Sequence, residues 1–394
     1  MKRSMLFTGV RMLGLAICGI IMFSACSDDD SPAPSTPGFE VVRDDLHGDI
    51  TEGHVVLESG VYRLTGKLIV HEGATLTIKA GVTVEATDIN TSRQDIRYIA
   101  VAQGGKINID GTATAPVVLT ATTKEPGAWG GLVICGRAPI NKGVAATAEV
   151  SELSYGGSDA ADNSGSVRYL RIEYAGYAYN SEKEFNSLSL FGVGRGTTIE
   201  YVQSYEGSDD AFEWFGGTVD AKYLVAINTH ESVGDDMFDW TEGWTGSGEY
   251  WYGLRSNSGN RGIEADNNSD NHGAIPVSNP TIKHLTLVGN GPTGAEPQAV
   301  KMRVGTNGNF DNVVLQNWAV GFDIQHDESL SFITAGTLQA TNVRFENVGT
   351  KSRGTNTAGV VVDITGVYTE NAQATGAGNG SEKPGWADGW TIGW

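Results

Sequence analysis

VRYLRI at residues 167–172 is the first clear copy of a six-residue segment that recurs as far as residue 345. The other copies are IEYVQS (199–204), AKYLVA (221–226), IKHLTL (282–287), FDNVVL (310–315) and ATNVRF (340–345). The widest gap, between the third and fourth copies, has room for one more, and EYWY (249–252) fits it. Repeats of this length that each supply short strands are typical of a solenoid, in which successive turns stack on one another. The sequence therefore predicts an all-β fold, a single-stranded right-handed parallel β-helix of roughly ten turns with N- and C-terminal caps.

The N-terminal part of the chain supports the same fold, because it consists of short β-branched runs separated by glycine. KLIV (67–70), TLTI (75–78) and KINI (106–109) are examples, and this alternation predicts many short strands. A β-sandwich also has many short strands, but it needs alternating hairpins and has no fixed repeat. Asn-Gly and Asp-Gly hairpin signals are few in this chain.

Several segments do not follow the repeat. We expect loops at residues 142–166, 265–280 and 349–358, which are polar or rich in small residues. The chain ends in PGWADGWTIGW (384–394), which we expect to be a cap covering the open edge of the last turn. The alternative for its tryptophans is a ligand-stacking role.

An acidic and aromatic motif is repeated near the middle of the chain. SDDAFEW (208–214) is followed by GDDMFDW (234–240) and by a fainter copy, NRGIEAD (260–266). Copies about one repeat apart should occupy the same position on successive turns, so their acidic residues should form a column. The expected members are Asp209, Asp210, Glu213, Asp235, Asp236, Asp239, Glu264 and Asp266.

Such a column is electrostatically unfavourable unless something compensates its charge. Two carboxylates about 4.8 Å apart repel by roughly 1 kcal/mol in water and by about 3–4 kcal/mol at an effective dielectric near 20. Arg261 has the register of Asp210 and Asp236 and could neutralise part of the column. Calcium is the second interpretation, because it takes six to eight oxygen ligands and the motif offers a surplus.

Catalysis is the third interpretation, because paired carboxyl groups can hydrolyse a glycosidic bond. The region has a partial likeness to pectin-degrading β-helix hydrolases, carried by NTH (228–230), GDD (234–236), NHG (271–273) and KMR (301–303). Their pattern has Asp at the position of His230, and its last pair is in the reverse order. The candidate acids are Asp210, Asp235, Asp236 and Asp239, and the nearby basic groups are Lys222, Arg255, Arg261 and His272. Catalytic residues remain unassigned.

The aromatic half of the motif has two interpretations. The rings could point inward and form core stacks, or they could face outward beside the acids and form a platform for sugars. The residues concerned are Trp214, Trp240, Trp244, Trp251 and Tyr252.

The N-terminus has the pattern of a secretion signal. Basic residues precede a short apolar run that ends in FSAC (23–26), which is typical of a signal peptide cleaved after small residues. A cysteine at this position resembles the lipobox of bacterial lipoproteins, which implies an acyl chain on Cys26. We therefore expect a signal peptide at 1–25, a lipidated flexible tether at 26–38 and the β-helix domain at 39–394.

The charge of the chain limits its partners. It has 47 acidic and 27 Lys and Arg residues, with a formal net charge of −20. Such a surface repels nucleic acid, so we expect no nucleic-acid partner. With Cys26 acylated, no internal disulfide is expected, and Cys135 in GLVICG (131–136) is expected to be a small buried side chain.

These features together resemble a family of Bacteroidetes-type surface lipoproteins with a pectin-lyase-like β-helix. The resemblance is carried by Cys26, GAWGGL (127–132), DDAFEWFGG (209–217), DDMFDWTEGW (235–244), RGIE (261–264) and GWT (389–391). It implies a lipoprotein of the outer membrane, exposed on the cell surface and attached through its lipid. It implies no established catalytic residues.

The leading functional hypothesis is a non-catalytic extracellular binding protein for a glycan or another ligand, with calcium at the acidic column. One alternative is a carbohydrate-active hydrolase or lyase. Another is a structural or accessory subunit of an outer-membrane receptor.

Overall fold

The computed structural model describes residues 38–88, 96–180, 183–231, 234–256, 259–291 and 297–394. The predicted signal peptide, Cys26 and all of the tether except Gly38 lie outside these residues. Within them, the one α-helix is Asp327–Ala335, and short 3₁₀ turns lie at Thr365–Val367 and Gly385–Ala387. No helix in the described ranges is both long and apolar enough to cross a membrane.

The described regular structure is otherwise entirely β. The strands, β1 to β27 in chain order, are Leu46–Ile50, His54–Leu57, Val61–Val70, Thr75–Lys79, Thr83–Ala86, Ile99–Val101, Lys106–Asp110, Val117–Ala121, Leu132–Cys135, Ala146–Thr147, Ser154–Tyr155, Gly165–Glu173, Ala178–Asn180, Lys183–Glu184, Leu188–Phe191, Thr198–Tyr205, Phe212–Phe215, Ala221–Asn228, Phe238–Thr241, Ser247–Arg255, Ile263–Ala265, Thr281–Gly291, Gln298–Met302, Asn309–Gln325, Gln339–Thr355, Val361–Val362 and Tyr368–Glu370.

Twenty-three of the described strands join in one hydrogen-bonded system, and successive turns pair in parallel. Face one contains β2, β4, β7 and the first parts of β12, β16, β18, β20, β22, β24 and β25. Face two contains β5, β8 and the later parts of the same long strands. Face three contains β6, β9, β15, β17, β19, β21, β23 and the ends of β24 and β25. The predicted right-handed parallel β-helix of roughly ten turns is confirmed.

The third residue of the recurring segment makes the corner between faces one and two. In every copy its φ is positive, between 52° and 59°, as a left-handed corner requires; the residues are Tyr169, Tyr201, Tyr223, Tyr250, His284, Asn312 and Asn342. Tyr250 confirms EYWY as the additional copy. A positive φ is uncommon outside glycine and is unfavourable for bulky residues. Stacking of the tyrosine rings on successive turns compensates this cost. The ring centroids of Tyr169 and Tyr201 are 4.3 Å apart, and those of Tyr201 and Tyr223 are 4.4 Å apart.

The C-terminal segment 371–394, which we call the strap, runs back along this row of corners. Its Thr375 backbone N–H donates to Asn312, the backbone C=O of Ile392 accepts from Gln203, and the ring of Trp390 meets the edge-on ring of Tyr169. The strap thus passes from the later turns to the earlier ones.

The strap corrects the predicted position of the terminal tryptophans. They lie on the flank of the helix and not over the open edge of its last turn, because the tyrosine corners offer an aromatic surface there. Ile364, Val367 and Tyr368 pack against the core at the C-terminal end. At the N-terminal end, β1 pairs with β3.

The loop expected at 349–358 is also corrected. Residues 350–355 form the face-three part of β25, in register with the end of β24. Their polar composition suits a strand at the end of the stack, where one edge lacks a full partner and charged side chains discourage further pairing. The other two expected loops agree with the structure apart from a few residues. Segment 142–166 contains the short hairpin of β10 and β11 and the first residues of β12, and segment 265–280 begins with the last residue of β21.

Candidate functional site

The predicted column of acids is present on face three. Strands β17, β19 and β21 pair in register, so that Glu213 lies beside Asp239 and Asp239 lies beside Glu264. The residues that flank each acid, such as Phe212 and Trp214, point into the core and are buried. Side chains alternate between the two sides of a strand, so the acids project from the outer side of the face.

The corners that precede β17 and β19 carry four more acids, which lie next to the acids of face three: Asp209, Asp210, Asp235 and Asp236. The backbone N–H of Asp236 donates to Oδ1 of Asp210 at 2.7 Å, which stacks the two residues on adjacent turns. Carboxylate oxygens within 4.8 Å of one another form three triads: Asp209–Asp210–Asp235, Asp210–Glu213–Asp239 and Asp236–Asp239–Glu264. The predicted register of the motif is therefore present in the structure.

Basic side chains neutralise one end of the column. Arg261 lies 3.1 Å from Asp236 and 3.0 Å from Glu264, measured between charged atoms. Arg303 lies 2.9 Å from Glu264 and 2.8 Å from Asp266. Arg261 therefore has the neutralising role that the sequence predicted for it at this end of the column, and Arg303 neutralises acids there as well.

The other end of the column is different. In the described part of the chain, Asp209, Asp210, Glu213 and Asp239 form no ion pair with a basic residue. Glu213 accepts a hydrogen bond from Nδ2 of Asn186, itself buried, at 2.5 Å. We call Asp209, Asp210, Glu213, Asp235 and Asp239 the acidic site.

Burial and mutual repulsion disfavour the charged forms of these carboxyl groups. Burial, and then the charges of Asp209 and Asp239, raise the pKa of Asp210 well above its usual range. Burial and neighbouring carboxylates likewise raise the pKa values of Glu213 and Asp239. Burial raises the pKa of Asp236 to about 7, and the charge of Arg261 opposes that rise. The acidic site would therefore either take up protons or bind a cation.

An insertion between β9 and β12 borders the acidic site. It covers an apolar part of face three, where Ile140 and Tyr155 of the insertion pack with Val133 and Phe191 of the face. The Tyr155 hydroxyl donates to Glu242 at 2.6 Å. The outer side of face three is therefore apolar under the insertion and acidic beside it.

The predicted aromatic platform is not present, because all five of its residues are buried. They are Trp214, Trp240, Trp244, Trp251 and Tyr252. The ring of Trp214 stacks on Trp244 at 4.7 Å and on Trp251 at 4.9 Å. The alternation that puts the acids outside puts Trp214 and Trp240 inside. The alternative interpretation, core stacks, therefore describes the four tryptophans, whereas Tyr252 packs against the strap, where its hydroxyl donates to the backbone C=O of Ser381.

The basic groups considered for a lyase have other contacts. Lys222 pairs with Glu249 at 3.0 Å on face one, and His272 pairs with Glu328 at 3.1 Å. Arg261 is paired as described, and Arg255 is buried. Of the four pectinase-like fragments, GDD and KMR meet at the column, whereas His230 lies 3.5 Å from Glu125.

Asn186 is a site residue that the sequence reasoning missed, and Lys301 and Arg303 were noted only as part of KMR (301–303), without a place at the column. A signal for Lys301 was present, because VKM (300–302) repeats the apolar–charged–apolar pattern of FEW (212–214). In the structure Glu264 pairs in register with Lys301. Arg303 and Asn186 lie just outside strands, where the repeat carries no such signal.

Fold and site together define a parallel β-helix with an acidic column on one face. The chain belongs to the family of pectate-lyase-like β-helix domains, whose model matches residues 48–391. A search of the curated proteins found no match.

Proposed function

We propose that the protein is a non-catalytic extracellular binding protein that holds a divalent cation, calcium, at the acidic site. The observation that carries this proposal is that Asp209, Asp210, Glu213 and Asp239 form no ion pair with a basic residue in the described part of the chain, whereas the other end of the column is neutralised. Calcium is a hard cation that prefers several carboxylate oxygens, and it would relieve the repulsion that raises their pKa values.

Asp210 is the central residue in this proposal. It belongs to two of the three triads of carboxylate oxygens, so it can contact a cation together with Asp209 and Asp235 or together with Glu213 and Asp239. Asp236, Glu264 and Asp266, which were also expected to be ligands, already have Arg261 and Arg303 as partners. We therefore assign the cation to the acidic site alone.

The extracellular ligand is proposed to be a glycan that binds through the cation. Trp214, Trp240, Trp244, Trp251 and Tyr252 are buried, so stacking on these rings does not support sugar binding. A sugar could instead supply oxygen ligands to calcium. The lipid on Cys26 and the position at the outer-membrane surface belong to the same proposal and rest on the sequence.

A hydrolase or lyase has less support. Asp236, whose pKa of about 7 would suit a general acid, is only 1% exposed and bound to Arg261. The basic groups that a lyase would use lie in ion pairs, in a hydrogen bond to Glu328 or in the interior. An accessory role in an outer-membrane receptor remains an alternative that pull-down from membranes would test.

Calorimetric titration of the purified protein with calcium tests the proposal. We expect saturable heat and a higher melting temperature. Asp210→Asn should weaken binding at least about tenfold, because it removes a charged ligand shared by two triads. Asp44→Asn is the control, because Asp44 is an exposed residue near the N-terminal end of the domain.

The outcomes separate clearly. Absence of heat and of any change in melting temperature would exclude the cation. Equal affinities of the wild type and Asp210→Asn would place calcium elsewhere. If calcium binds but no polysaccharide in a broad panel binds in its presence, the glycan is excluded and the cation site stands.

A further inference from the structure

Arg255 is a buried cation whose role the acidic site does not explain. It ends β20 at the corner between faces two and three and is 2% exposed. None of its three guanidinium nitrogens has a hydrogen-bond acceptor among the described residues. Its guanidinium carbon lies 5.0 Å from the centroid of the Trp318 ring. A cation–π contact of this kind stabilises the charge but satisfies no N–H group in the guanidinium plane.

The surroundings of Arg255 contain further unsatisfied polar groups. Asn228 pairs in register with Arg255 on the preceding turn, and its Oδ1 atom is buried without a donor in the described structure. Asn290 lies two residues after Val288, the partner of Leu254 on the following turn, and its Oδ1 atom is buried in the same condition. The two ends of a carboxamide have nearly the same shape, so either group can present its NH₂ instead.

The described residues around Arg255 compensate little of its positive charge. Asp236 is the carboxylate whose charge acts most strongly on Arg255, but it already holds the side chain of Arg261 at 3.1 Å. Burial lowers the pKa of Arg255 to about 10, so the guanidinium is still charged at neutral pH. A buried charge without hydrogen bonds is strongly destabilising, and this one calls for an anionic acceptor.

We propose that Arg255, with the carboxamides of Asn228 and Asn290, binds a small inorganic anion of the size of chloride. The ring of Trp318 closes one side of this site, and it packs over Gly289, where a Cβ atom would lie 2.7 Å from the ring. A bulky anion cannot reach a guanidinium this deeply buried without displacing packed side chains. The site is independent of calcium, because its donors are not part of the acidic site.

Thermal unfolding of the purified protein in sodium chloride and in sodium gluconate at equal ionic strength tests this inference. We expect the melting temperature to rise with chloride by about 1–3 °C for each tenfold increase above its dissociation constant. Gluconate should have no such effect. Arg255→Met should abolish the difference between the two salts, whereas Arg195→Met, at an exposed arginine, should retain it.

A second measurement covers the possibility that Arg255→Met does not fold. Crystals of the wild type soaked in bromide should show an anomalous scattering peak within hydrogen-bond distance of the Arg255 guanidinium. Equal melting temperatures in chloride and gluconate, or a bromide-soaked crystal without a peak there, would show that only buried water meets Arg255 and would overturn the proposal.

Discussion

The alternation of side chains along single strands determines the chemistry on each side of face three. In FEW (212–214) and FDW (238–240), the acid points outward and both aromatic neighbours point inward. Three consecutive residues thus place a charged side chain on the outer side of the face and two aromatic side chains in the core. The tryptophans that the sequence offered as a ligand platform are core residues for this reason.

Trp251→Ala should therefore destabilise the fold whether or not a ligand is present. The side chain is fully buried and stacks with Trp214 and Phe238, so its loss should cost about 3–5 kcal/mol of unfolding free energy. Chemical denaturation followed by fluorescence measures this. Trp394→Ala, at a ring that is 42% exposed, is the control and should cost about 1 kcal/mol or less. Equal effects of the two changes would contradict the assignment of Trp251 to the core.

At the scale of elements, stacking of β17, β19 and β21 converts three separate acids into one coupled group. The same stacking continues through β23, where Lys301 interrupts the run of negative charge. The column is therefore acidic over a few turns only, and its titration should affect the stability of those turns.

Without calcium, the free energy of unfolding should fall between pH 4 and 7 through the contribution of these acids. Burial raises the pKa of Asp236 from 3.8 to about 7 and raises that of Asp210 as well. The folded protein then binds more protons than the unfolded chain, so this contribution is fully present at low pH and is lost as pH rises through the folded pKa values.

The comparison that isolates this effect uses the triple variant Asp210→Asn, Glu213→Gln, Asp239→Asn. Melting temperatures at pH 4, 5, 6 and 7 should show the wild type losing stability relative to the variant as pH rises, and calcium should remove the loss. Asp44→Asn should follow the wild type. A constant difference between wild type and triple variant across this range would show that these acids do not titrate as proposed.

The strap is the element that connects distant turns. A solenoid turn contacts only its neighbours, so solenoid stability is largely a sum of local terms. The strap instead bonds to Asn312, Thr286 and Gln203, which lie on three different turns.

Deletion of residues 371–394 should lower the melting temperature and broaden the transition, because the turns lose a shared partner. Differential scanning calorimetry measures both quantities. Deletion of Trp394 alone is the control and should leave the transition sharp. An unchanged width after the full deletion would mean that the strap does not couple the turns.

At the scale of the whole molecule, we predict that a lipid on Cys26 attaches the protein to the membrane. Cys26→Ser should move the protein from the detergent phase to the aqueous phase in Triton X-114 partitioning, since the acyl chain is proposed to anchor the protein. Cys135→Ala is the control, because Cys135 is buried and burial raises its thiol pKa to about 12. Retention of Cys26→Ser in the detergent phase would exclude the lipid anchor.

The sequence by itself determined the repeat, the parallel β-helix and the register that stacks Glu213, Asp239 and Glu264. These follow from the spacing of similar segments, because equivalent positions on successive turns must lie one strand apart. Tertiary structure alone decided which acids have Arg303 as a partner, where the strap lies and that Arg255 is buried. These contacts join positions that are not equivalent in the repeat, so their geometry depends on how loops and the chain end fold over the faces.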